Sequence, residues 1–133
     1  MTDVALTLQD AIVAALRNDA DVTALVGQRI YDRVPPMVEK PYITIGPADV
    51  TSNDADCVNG NDVTQQIDVW SVEPGFAQCK DVGGAVRKCL DKITVTQDGL
   101  TFEIENRAVR YFMDADGLTA HGVITVQALI DTP

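Results

Sequence analysis

The hydrophobic pattern is clearest from Val63 to Leu90, where a period-two stretch turns into a helical stripe. Val63, Gln65, Ile67, Val69 and Ser71 fall on one face of a strand, and Thr64, Gln66, Asp68, Trp70 and Val72 on the other. Ile67 and Val69 mark the core side. Pro74 has no backbone donor and a φ suited to a helix start, so it ends the strand. Phe76, Cys79, Val82, Gly83, Val86, Cys89 and Leu90 then recur at three- and four-residue steps, opposite Gln78, Asp81, Arg87 and Lys88. Gly83 and Gly84 each cost about 1 kcal/mol of helix propensity relative to Ala, which close approach of the helix to the strands would explain.

The same reading extends in both directions. Thr7 with Asp10 resembles a capping box, and Leu8, Ile12, Ala15 and Leu16 trace a helix to about Asn18. Asp21 is a candidate cap for a further short turn that Gly27 stops. Arg29 to Val34 alternates as a short edge strand closed by Pro35 and Pro36. Tyr42 to Gly46 sets Ile43 and Ile45 on one face and is the natural antiparallel neighbour of Ile67 to Val72. Asn59-Gly60 is the strongest two-residue hairpin signal, yet a turn there would set Ile45 opposite Pro74, beyond the strand. Residues 47–61 are therefore either part of a long, bent hairpin or an acidic loop, an arm longer than most connections in compact domains. Beyond the second helix, Asp98-Gly99 is a turn. Phe102 to Met113 is a strand whose phase shifts at Asn106 and Arg107, the mark of a bulge. Asp114 to Thr119 is a turn, and His121 to Ile130 is the last strand. The expected fold is α+β, with two helices on one face of a mostly antiparallel sheet in the order α-β-β-β-α-β-β.

A length of 133 residues predicts a single domain spanning 1–133 that buries about two thirds of its unfolded surface without disulfides. The three cysteines are odd in number and lack CxxC spacing, and Cys79 and Cys89 sit on the apolar stripe, which points to a reducing compartment. Twenty acidic side chains against 10 basic ones give a net charge of −10, which argues against a broad phosphate-binding surface. No signal-like region opens the chain and no apolar run approaches the ~18 residues of a membrane span, so the expected protein is soluble, not Sec-exported and without membrane partners.

Candidate chemistry is sparse. His121 is the only histidine, and Cys57 is the only thiol off the helix stripe, but a nucleophilic pair also needs an orienting group and an oxyanion donor. Asp114, Asp116 and Gly117 imitate half of a calcium loop and read more simply as a turn. Asp54, Asp56 and Asp62 read as a solvated acidic loop rather than a cation site. GxGxxG, P-loop, HExxH and GxSxG motifs are missing, and no cofactor or metal is expected. Trp70 is more informative, because it sits with Tyr42 and Thr44 on the strand face turned away from the helix. Cover for that face comes either from the amino-terminal segment or the arm, or from another subunit.

Three stretches, LQDAIVAALRNDADVTALVGQRIYDRVP, IDVWS with the helix ending GGAVRKCL, and RYFMDADGLTAHGVITVQA, resemble the small tail-completion proteins of long-tailed phages and gene transfer agents. The resemblance implies a structural, non-enzymatic virion protein assembled in the host cytoplasm and placed at the tail-neck junction. It implies a ring, typically hexameric, that terminates the tail tube and offers the head-docking surface. Its partners would be copies of itself, the tail tube protein and the head-tail connector, with DNA passing through the lumen without specific binding. On this reading the candidate subunit or partner contacts are Tyr42, Asp49, Asp54, Asp56, Asn59, Asp62 and Trp70, with the arm reaching an adjacent subunit or the tube. A head-side connector of the same particle is the nearest alternative, and a small cation-binding or hydrolytic domain a distant one.

Overall fold

The computed structural model describes residues 3–53, 60–72 and 74–131. Among these, three helices cover one face of a six-stranded sheet. The helices are α1 (Val4–Arg17), α2 (Ala20–Val26) and α3 (Ala77–Cys89), and the strands are β1 (Ile30–Tyr31), β2 (Tyr42–Asn53), β3 (Gly60–Ser71), β4 (Ile93–Gln97), β5 (Leu100–Met113) and β6 (Ala120–Asp131). The spatial order is β1-β2-β3-β6-β5-β4; β1 runs parallel to β2 and every other pair is antiparallel.

The α+β class holds, but the element order α-α-β-β-β-α-β-β-β differs from the expected one in two places. The first is α2, a complete helix capped by Asp19, not Asp21, whose carboxylate accepts from the Asp21 and Val22 N–H groups. The second is β4, which pairs with β5 across the Asp98-Gly99 turn. Helix α1 begins earlier than the Thr7 box suggested, with Asp3 accepting from the Ala5 N–H, while Thr7 is buried within the helix. Only Ile30 and Tyr31 of the stretch 29–34 form a strand, at the sheet edge as expected.

One hydrophobic core holds the layers together. Leu8, Ile12 and Leu16 of α1, Val22 and Val26 of α2, and Cys79, Val82 and Val86 of α3 meet Ile43, Ile67, Val69, Ile124 and Val126 of the sheet. Ile67 and Val69 are fully buried, as the alternation predicted. The glycine pair in α3 splits: a Cβ on Gly83 would stand 3.0 Å from ring carbons of Tyr111, whereas one on Gly84 would meet nothing within 4 Å. Close packing therefore accounts for Gly83 alone.

Residues 48–53 pair with 60–65, so the hairpin alternative holds for the described part of the stretch 47–61. Gly60 pairs with Asn53, which removes the two-residue turn at Asn59-Gly60. The register between β2 and β3 shifts by one residue between Ile45 and Ala48. That bulge is anchored from inside: the buried Gln65 amide donates to the carbonyls of Gly46 (2.9 Å), Pro47 (3.3 Å) and Gln66 (2.8 Å). The predicted bulge in β5 lies between Asn106 and Ala108. It turns Asn106 toward α3, where its amide donates to the Arg87 carbonyl at the helix end, 2.6 Å away.

Candidate functional site

With all three helices on one face, the other face of the sheet has no covering layer among the described residues. Helix α1 belongs to the covered face, so the amino-terminal segment from Asp3 onward does not shield Trp70.

At one end of the open face, four rings stand directly opposite one another on adjacent strands: Tyr42 on β2, Trp70 on β3, His121 on β6 and Phe112 on β5. Trp70 and His121 stack with centroids 3.8 Å apart and planes 19° from parallel. Phe112 covers the imidazole from the other side at 4.8 Å. The Trp70 indole N–H donates to Thr44 Oγ1 (2.9 Å), so its polar atom is satisfied while the ring stays half-buried. Lys40 lies over the Tyr42 ring, and Arg110 over Phe112.

His121 is also held in the plane of its ring. Nε2 lies 2.7 Å from Asp68 Oδ1, and Nδ1 lies 3.4 Å from Asp114 Oδ1. The Asp68 carboxylate, itself buried, also accepts from the Gln66 amide at 3.0 Å. With both nitrogens facing carboxylates and its ring set between Trp70 and Phe112, the imidazole ties together three strands, β3, β6 and β5. The Asp68–His121 pair was invisible to pattern reading, because the partners are 53 residues apart and meet only through the β3–β6 register.

The turn after β5 is a turn, as its composition suggested. Asp116 accepts from the Leu118 and Thr119 N–H groups (2.8 and 2.9 Å) and the Thr119 hydroxyl (2.7 Å). These donors, with Lys40 nearby, hold its carboxyl below the usual range. Leu118 is 72% exposed, Met37 fully exposed and Val72 half-exposed. All flank the aromatic end, since Val72 follows β3, Leu118 lies in the β5–β6 turn and Met37 precedes β2.

The other end of the open face is acidic. Asp49, Thr64, Gln127 and Glu105 form one row and Thr51, Asp62, Leu129 and Glu103 the next. Arg107, the extra residue of the β5 bulge, pairs with Glu105 at 3.1 Å and donates to Gln127. The expected contact residues thus divide: Tyr42 and Trp70 stand at the aromatic end, and Asp49 and Asp62 at the acidic end. Asp54, Asp56, Asn59 and Cys57 lie outside the described residues, so the Cys57–His121 pairing does too.

Among the described residues, no group of three or more His, Cys, Asp and Glu side chains is placed to hold a metal ion, and no helix is long and apolar enough to cross a membrane. Cys79 and Cys89 are free thiols in the core layer. Burial raises Cys79 to about 11. Burial, with Asp19 nearby, raises Cys89 to about 12.

The described residues thus form a small α+β domain with one sheet face left without a covering layer. Known proteins share this architecture. The family of tail completion protein gp17 matches residues 10–131, and the chain belongs to that family of structural virion tail proteins. A chain in the virion of a native gene transfer agent particle superposes with a TM-score of 0.91 at 25% identity, covering 99% of this chain and 100% of that one. The gp17 protein of bacteriophage SPP1 shares the fold, with a TM-score of 0.65 at 23% identity over 96% of this chain and 90% of that one. No individually curated protein matches the sequence.

Proposed function

We propose that the chain, as one domain over 1–133, forms a ring that ends the tail tube and presents the surface on which the head docks. The observation that carries this reading is the uncovered sheet face, aromatic at one end and acidic at the other, in a chain of the tail-completion family. A sheet normally buries one face and solvates the other. Here the open face carries half-buried rings flanked by the exposed side chains of Met37, Val72 and Leu118, the composition of a protein contact. Tyr42 and Trp70 belong to that end, which suits the tail tube protein or the head-tail connector. Asp49 and Asp62, with the hairpin beyond them, lie on the side that meets a neighbouring subunit.

The charge has a role in the same scheme. Asp49, Asp62, Glu103 and Glu105 outnumber Arg107 and Arg110 on the strands of the open face. Where the acidic end turns toward a lumen, it repels the DNA backbone and lets it pass without sticking. Basic residues lining the pore of the assembled particle would refute this part of the scheme.

Co-sedimentation tests the placement. Purified protein added to tail tubes lacking it should band with the tubes and make them competent to join filled heads. Binding to DNA-filled heads instead of tubes would move the protein to the head-side connector, and binding to neither would remove it from the joint.

A further inference from the structure

A sheet ends at strands whose outward backbone groups have no partner, and proteins usually blunt such edges with shortness, charge, proline or bulges. The β1 edge is blunted: it is two residues long, Arg17 donates to the Ile30 carbonyl at 2.8 Å, and Pro35 and Pro36 follow. Two other edges are longer and lie open, although β2 carries the bulge beside Pro47 and the charge of Asp49. Strand β1 covers β2 only at Ile43 and Thr44, so from Ala48 to Asn53 the far side of β2 pairs with nothing among the described residues. Strand β4, ITVTQ, has no charge and no proline, and among the described residues pairs only with β5.

The groups that β4 leaves open can be named. Asp98 (φ 50°) and Gly99 (φ 82°) form a two-residue hairpin turn, so Gln97 and Leu100 are the hydrogen-bonded closing pair. Antiparallel pairs alternate, so Val95 and Ile93 also spend their backbone groups on β5, while those of Thr94 and Thr96 point outward. Beside this edge a cleft between Val95 and Gln97 and the alanines of α1, Ala11, Ala14 and Ala15, leaves room for side chains of an added strand.

The two open edges match each other. Following the ladder, Ile93 is level with Ile104, Ala128, Val63 and Val50, and Thr94 with Glu103, Leu129, Asp62 and Thr51. Four antiparallel steps separate β2 from β4, so the two strands point the same way. Lys92, exposed and one place before the paired strand (φ 54°), stands at the end of β4 near the level of the exposed Asp49. In a chain of net charge −10, whose copies repel, this is a matched opposite pair on facing edges.

We propose that copies of this chain join head to tail through these edges, the outward groups of Thr94 and Thr96 in one copy pairing in parallel with the Ala48–Asn53 edge of the next, and Lys92 set against Asp49. Such a contact uses two different surfaces and closes into a ring when the rotation allows. The inference rests on the ring reading above and names the interface that builds it.

Sedimentation velocity of the full-length protein over a range of concentrations tests it. Thr94→Pro with Thr96→Pro removes only outward donors. The expected result is loss of association with the circular dichroism spectrum unchanged. Asp49→Lys and Lys92→Asp singly should each raise the half-association concentration several-fold, and the two together should restore it. If the proline variant fails to fold, the charge exchange decides alone. A folded proline variant that associates like the wild type, or a double reversal without recovery, overturns the edge pairing and leaves the ring intact. Wild-type protein that stays monomeric throughout overturns the ring itself, and this interface with it.

Discussion

The ring of Tyr111 fills the space above its cross-strand partner Gly122, where a Cβ would stand 3.1 Å from Tyr111 Cε1. Gly83 of α3 closes the same ring from the helix side, so one tyrosine sits between two glycines on two layers. Burial raises its hydroxyl above the ordinary tyrosine value.

Gly83→Ala and Gly84→Ala should therefore move stability in opposite directions. At Gly83 the added methyl presses on a ring already close against Gly122, and overpacking of about 1–3 kcal/mol outweighs the ~1 kcal/mol gain in helix propensity. At Gly84 the methyl meets nothing, and up to about 1 kcal/mol is gained. Urea denaturation of the two variants gives both signs in one experiment.

Asp68→Ala should destabilise the fold by about 1–3 kcal/mol, because it leaves His121 Nε2 and the Gln66 amide without their acceptor in a buried site. Asp114→Ala, at 3.4 Å and partly exposed, should cost under about 1 kcal/mol. Equal effects from the two substitutions would mean that the hold on His121 is not centred on Asp68.

Gln65→Met keeps the volume but strips the donors from the Gly46, Pro47 and Gln66 carbonyls. The expected loss is about 1–3 kcal/mol, with faster amide exchange along the hairpin beyond the bulge. Unchanged exchange from Ala48 to Thr51 would show that the bulge holds without its internal anchor.

Alternation and stripe periodicity made the central elements legible: the phase of β3, the bulge at Asn106 and the apolar face of α3 all follow from residues close in the chain. The α1 start was misplaced because Asp3 and Thr7 both suit a cap, and packing of Val4 and Ala5 against the core favoured the longer helix. Strand β4 carried a signal, since Asp98-Gly99 between alternating Ile93, Val95 and Phe102 is a hairpin pattern. The aromatic row and the Asp68–His121 pair carried none, because they exist only once β3, β6 and β5 are laid side by side. The open face was inferable from Trp70, but its division into an aromatic and an acidic end was not.

Cys79 and Cys89 should resist alkylation at pH 8 in the folded protein, since values near 11 and 12 leave only about 0.1% thiolate or less. Peptide mass spectrometry after timed iodoacetamide exposure reads this directly, with urea-unfolded protein as the fast control. Both thiols are raised above their ordinary value of 9, so their stabilising contribution is complete below pH 9 and is lost as pH climbs through 11 and 12. Melting temperature should fall across that alkaline window, and Cys79→Ala should blunt the fall.

The claim on which the account turns is that this small domain exists to associate with itself and with tail components. Negative-stain electron microscopy of the purified protein at high concentration puts it to the most direct test. Closed rings with an open centre are the predicted image, and a field of single compact particles that stay unassembled when tail tubes are added would contradict it.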